Sequence, residues 1–189
     1  MAKVLFNPIM EQIRGKIGEL VFRRFENRII VARKPDVSGR VPTAGQAGVR
    51  MRFREAARYA NNVMADPERR LPYEPVAAKH GKSLRMVIMS DYLNPPEVDA
   101  ISVVGYHGRM GDPIDVQATD DVAVTGVLVT IRDEAGAVVE QGAATLAAAN
   151  WRYVATVTVQ AGESVTIDAT ATDLAKQTGT LSVPIVVTE

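Results

Sequence analysis

The sequence predicts an α+β chain in two parts: a β-hairpin arm with short helices, then an all-β sandwich. Three observations predict it. Apolar residues change their spacing near Glu97, from recurrence at three and four to alternation. Proline and glycine punctuate the segments so defined, with Pro95-Pro96 at the changeover. Charge changes sign at the same place. Residues 1–96 hold eighteen lysines and arginines against nine acids, a net +9; residues 97–189 hold four against thirteen, a net −9. The formal zero of the 189-residue chain therefore hides a dipole. One half suits an anionic partner, and the two halves suit head-to-tail contact between copies.

Residues 1–42 read as an extended arm. Two short runs rich in β-branched and aromatic residues, 17–25 and 29–33, flank the polar break Glu26-Asn27-Arg28 and predict a hairpin. Gly15 and Gly18 supply bends before it. Because a lone hairpin is marginal, its apolar residues are expected to bury against something else.

Residues 43–96 read as helical. Thr43 is a candidate N-cap for a helix over 44–64, with Val49, Phe53, Ala56, Ala57, Ala60, Val63 and Met64 on one face. Asp66-Pro67-Glu68 opens a second piece, and Pro72 and Pro75 break the chain after it into short lengths. Gly81 closes the next piece and Ser83 caps a helix over 84–93, whose apolar residues are Leu84, Val87, Ile88, Tyr92 and Leu93.

Residues 97–189 read as the sandwich. Candidate strands are 99–105, 113–119, 122–132, 137–146, 151–160, 163–172 and 179–188. About seven short strands, with turn signals such as Glu134-Ala135-Gly136 and Ala161-Gly162-Glu163 between them, form a sandwich pattern. Trp151 is expected to be a buried anchor of its core.

The segments 111–121, 127–133, 151–156 and 165–173 resemble bacterial immunoglobulin-like domains, which implies an immunoglobulin-like sandwich without a cysteine pair, since the chain has no cysteine. The N-terminal part is similar to uncharacterised bacterial and phage-derived structural proteins. Gly15, Gly18, Val21, Phe22, Arg33-Lys34-Pro35, Gln46, Arg50 and Phe53 carry that resemblance. It implies a phage or phage-like particle or filament as the setting and carries no chemistry to any residue.

Several chemistries lack their residues. Without cysteine there is no thiolate nucleophile or zinc–thiolate site. Gly81-Lys82-Ser83 resembles the end of a phosphate loop, but Val76 stands where the pattern requires glycine, and a helix-linking turn is the simpler reading. His80 and His107 lie in different halves, and no Gly-x-Ser-x-Gly elbow occurs. Asp112, Asp115, Asp120, Asp121, Asp168 and Asp173 fall at predicted strand ends, where clustered oxygens could hold calcium. Turn and edge roles are the simpler account of them, so no metal or cofactor is expected. The first residues lack the apolar stretch of about 7–15 that a secretory signal needs. Cytoplasmic synthesis is therefore expected, with release in a virion or particle.

The expected function is that of a non-enzymatic structural subunit, assembling with copies of itself through Phe6, Ile9, Val21, Phe22, Ile29, Val31, Arg50, Arg54 and Arg58. The alternative is a nucleic-acid-binding protein that uses the basic half. No small-molecule substrate and no membrane span is inferred.

Overall fold

The computed structural model describes residues 2–4, 14–25, 28–36, 39 and 41–188. The chain divides into two compact units, Met1–Ala44 and Gly45–Glu189.

In the first unit the predicted hairpin is the centre of a wider sheet. β1 (Ala2–Val4), β2 (Gly15–Ile17), β3 (Leu20–Phe25) and β4 (Arg28–Arg33) form an antiparallel sheet of order β1-β4-β3-β2. β3 pairs with β4, placing Phe22 opposite Val31 and Val21 opposite Ala32. The Gly18-Glu19 loop joins β2 to β3, since Ile17 pairs with Leu20. Gly18 has φ 58°, the sign that the first central position of a two-residue type II′ loop requires and that glycine adopts freely. The two added strands pair the outer edges that an isolated hairpin would leave open.

The second unit contains both helices and sandwich. The helices are α1 (Ala44–Ala65), α2 (Pro67–Arg70), α3 (Glu74–His80) and α4 (Leu84–Leu93), and the starts of α2 and α4 and the end of α3 fall on the predicted signals. The Asp66 side chain accepts hydrogen bonds from the Glu68 and Arg69 amides, Gly81 closes α3 in the left-handed region, and Ser83 accepts from the Met86 amide. Gly81-Lys82-Ser83 is therefore the turn between α3 and α4. A small core of Ala60, Val63, Tyr73, Ala77, Val87 and Ile88 is completed by Val122 and Leu174 from two loops of the sandwich.

The sandwich has eight strands: β5 (Glu97–Ser102), β6 (Pro113–Thr119), β7 (Val124–Asp133), β8 (Val138–Ala143), β9 (Thr145–Ala147), β10 (Asn150–Val154), β11 (Ser164–Asp173) and β12 (Thr178–Val186). They form two antiparallel sheets, β5-β6-β10-β9 and β12-β11-β7-β8. Lettered A, B, C, C′, D, E, F and G in chain order, the sheets read A-B-E-D and G-F-C-C′, the strand order of an immunoglobulin sandwich. Inward residues of both sheets, among them Ile114, Val116, Val129, Ile131, Ile167 and Ala169, make the core.

Two expectations change. The predicted strand 137–146 is two strands in different sheets. β8 pairs with β7 and β9 with β10, and at the corner the Ala144 amide donates to the Val127 carbonyl. Trp151 is only half-buried and packs on the edge of the core, whereas Tyr153, two residues along the same strand, is 6% exposed. The larger ring sits toward the rim, and the phenol enters the interior because its hydroxyl finds a partner there: it donates to Glu140 at 2.9 Å.

Candidate functional site

The six aspartates singled out in the sequence separate into two groups. Four are accounted for by local bonding. Asp112 accepts from the His107 and Arg109 amides, which holds its carboxyl below the ordinary range. Asp115 forms a two-pronged ion pair with Arg152 at 2.7 and 2.9 Å, and its carboxyl is likewise held low. Asp168 bonds Arg132 and Ser182, and Asp121 accepts from Ser90 and Asn94 on α4 and its C-cap. His80 and His107 are both exposed.

The other two, Asp120 and Asp173, meet a third carboxylate that the spacing of acids in the sequence does not single out. Asp91 projects from α4 onto the same face as Val87 and Ile88, and it is 0% exposed. Asp173 ends β11, where Val165, Ile167, Ala169 and Ala171 point inward; the two-residue period carries the next side chain inward too, also 0% exposed. Asp120 sits in the loop after β6. Each offers a carboxylate oxygen, and these three oxygens lie within 4.8 Å of one another.

Each carboxylate is oriented by donors on one oxygen only. Asp91 Oδ2 accepts from the Tyr73 hydroxyl at 2.8 Å; the Tyr59 hydroxyl lies 2.9 Å from the Tyr73 oxygen and 3.1 Å from the Leu174 carbonyl, and its single proton serves one or the other. Asp120 Oδ2 accepts from the Val122 and Ala123 amides, both at 2.9 Å. Asp173 Oδ1 accepts from the Gln177 amide at 2.7 Å. The remaining oxygens, Asp91 Oδ1, Asp120 Oδ1 and Asp173 Oδ2, are buried without a partner. No lysine, arginine or histidine among the described residues forms an ion pair with any of the three. Burial, then the negative charges of Asp120 and Asp173, push the Asp91 carboxyl up to about 7, although the Tyr73 bond opposes this. Burial raises Asp173 and, most strongly, the Tyr73 phenol as well.

The expected assembly residues lie elsewhere. Val21, Phe22 and Val31 are half-buried and Ile29 is buried in the N-terminal sheet; Phe6 and Ile9 lie outside the described residues. Arg50, Arg54 and Arg58 are exposed on α1 and make no ion pair with a described residue. The apolar face of α1 is not buried along its whole length. Ala56, Ala60 and Val63 are buried, whereas Val49 is 69% and Phe53 57% exposed. Lengths explain it. α1 has 22 residues, about 33 Å, and α4 has 10, about 15 Å. The two run antiparallel: Arg52 donates to the Leu93 carbonyl, Tyr59 stacks near Tyr92, and Arg85 donates to Asn61. The first two turns of α1 therefore extend past the end of α4, and the apolar stripe stays uncovered as far as Phe53 in the third turn.

No protein-family model matches the chain, and no curated protein matches it. Among solved structures it is similar to a conjugative transposon lipoprotein from Bacteroides eggerthii DSM 20697, at 11% identity and a TM-score of 0.26, over 48% of this chain and 94% of that one. A likeness at that level carries no argument about function. No helix among the described residues is long and apolar enough to cross a membrane.

Proposed function

We propose that the chain is a non-enzymatic structural subunit that assembles with copies of itself, the uncovered end of α1 docking on the acidic sandwich of a neighbour. The observation that carries this is the overhang. Val49 and Phe53 continue a stripe that is buried one turn later, so the helix presents a half-used apolar face. Beside it Arg50, Arg54 and Arg58 recur every four residues. Like charges at that spacing cost a helix about 0.2–0.5 kcal/mol per pair, a cost that an anionic surface opposite would offset. The net −9 of residues 97–189 supplies such a surface on a second copy. The N-terminal sheet, through Val21, Phe22 and Val31, belongs to the same assembly in this reading, as do Phe6 and Ile9. The bacterial immunoglobulin-like resemblance makes the sandwich the displayed or clamping module, and the N-terminal resemblance supplies the phage-like setting.

Nucleic-acid binding by the basic half is the second reading. A recess of about 560 Å³, lined among the described residues by Arg14, Phe22, Arg23 and Arg24, favours it. Size-exclusion chromatography with light scattering separates the two. Assembly predicts concentration-dependent, nucleic-acid-free oligomers that the double change Val49→Asp, Phe53→Asp converts to monomers. A wild-type monomer at every concentration overturns the reading, and a monomer that elutes with nucleic acid establishes the second.

A further inference from the structure

We propose that Asp91, Asp120 and Asp173 form a site for a divalent cation of the calcium class, at the joint between α4 and the sandwich. A cluster of acids is common without an ion; this one differs in what is left unsatisfied. Asp91 and Asp173 are each fully buried, and each keeps one oxygen without a partner, as does Asp120. A buried polar atom without a partner is costly, and buried charges are paired or bound to metals in folded proteins. A proton shared between two of the carboxylates would partner two oxygens and leave the third. A cation would satisfy all three.

The donor set selects the ion. It contains only oxygens, which suit hard cations, and it lacks the imidazole and thiolate donors typical of zinc and copper sites. Calcium takes its oxygens at about 2.3–2.6 Å, so donors across one ion lie up to about 5 Å apart, and the mutual limit of 4.8 Å here falls within that span. Magnesium, at about 2.0–2.1 Å, needs a tighter set and keeps most of its own water. Three carboxylates leave one net negative charge around a divalent ion. The orienting groups that metal sites need are already present: the Tyr73 hydroxyl holds Asp91, two amides hold Asp120, and the Gln177 amide holds Asp173. The three ligands come from a helix, a loop and a strand end, so the ion would fasten the helices to the sandwich.

The full chain is stripped with a chelator and melted with calcium, with magnesium or with chelator alone, near pH 7.5. Calcium is expected to raise Tm by about 5 °C or more at saturation, and magnesium by less. Terbium serves as a local probe, since Tyr73 bonds directly to Asp91 and can sensitise its luminescence; calcium is expected to compete the signal away. Asp120→Asn and Asp173→Asn remove ligand charge while keeping shape. Each is expected to abolish the calcium shift and the luminescence, yet to melt no lower than wild type in chelator, because the repulsion is relieved. Absence of both a calcium shift and competable luminescence in wild type overturns the proposal. So does an undiminished response in the two variants, which would put the ion elsewhere. If the variants fail to fold, the wild-type competition experiment decides alone.

Discussion

Among the described residues, carboxylates are buried in two places, one alone in the sandwich and a group at the joint. In the sandwich, Glu140 is 6% exposed and one of its oxygens gathers three donors: the Tyr153 hydroxyl at 2.9 Å, the Thr156 amide at 2.8 Å and the Thr156 hydroxyl at 2.7 Å. At the joint, Asp91, Asp120 and Asp173 spread their donors over separate oxygens and leave three oxygens bare. The first arrangement is a lone carboxylate acting as a clamp within the sandwich: Glu140 Oε1 is buried without a partner, while Oε2 ties β8 to β10 and the chain beyond it. The second gathers three carboxylates, each with an oxygen within 4.8 Å of the others. Burial and one bare oxygen therefore do not by themselves separate a structural acid from a binding one; the gathering of three such carboxylates at one point does.

Four measurements break or sharpen that contrast. The largest expected effect is at Tyr153→Ala, which removes a core ring and a donor to Glu140 together: a loss of about 3–5 kcal/mol by urea denaturation. A loss below about 1 kcal/mol would mean that the clamp contributes little. Next, Glu140→Gln is expected to cost about 1–3 kcal/mol, because a charged acceptor of three donors becomes neutral. Asp173→Asn in chelator is expected to shift stability in the opposite direction or not at all. Equal losses at the two positions would erase the distinction between clamp and joint.

The third measurement is the pH dependence in chelator. The folded chain keeps a proton on Asp91 up to about pH 7, whereas the unfolded chain releases it near the ordinary 3.8. Between those values the folded state binds more protons, so stability falls as pH rises and levels off above about 7. Asp173, also raised, adds to the same slope. The groups facing Asp91 are Asp120, Asp173 and Tyr73, with Tyr59 behind Tyr73, and none is a base that would reverse the sign. Urea midpoints across that window should decline in wild type and flatten in Asp91→Asn. A flat wild-type profile would remove the repulsion argument.

The smallest effect on stability is expected on α1. Arg50→Glu, Arg54→Glu and Arg58→Glu together should change monomer stability little, about 0.5 kcal/mol or less per site, because the side chains are exposed. Light scattering should nevertheless show weaker assembly than the same change at Arg109, Arg132 and Arg152. Arg132 and Arg152 already bind Asp168 and Asp115 within the fold, so any stability loss there is local. Equal weakening by the two triple variants would remove charge-directed docking.

Much of this was legible in the residues, where one local rule decides the outcome. Asp66, Gly81 and Ser83 marked helix ends because caps are short-range chemistry. The alternation in β11 gave its inward face, since the period of two admits no other arrangement once one side is apolar. The break at Ala144 was not legible, because changing sheets depends on which neighbour is available at that level. The pairing of β1 with β4 was equally non-local. The uncovered end of α1 was missed because periodicity reports which face is apolar and not whether a partner helix is long enough to cover it. Asp91 had a usable signal: an acid seven residues after Leu84, four after Val87 and three after Ile88 lies on the stripe those residues define, and a carboxylate there needs a reason.

The short junction after α4 has a mechanical meaning. Asn94 is bonded to Asp121, Pro96 is buried, and β5 begins at the next residue. Gly179 on β12 approaches the Pro96 carbonyl oxygen so closely that a Cβ there would fall on it. A tether of flexible residues would let the sandwich swing through a wide cone; this joint gives it no free pivot. A partner that grips the helices thereby sets the sandwich's azimuth, and an array of such grips would hold every sandwich at one angle.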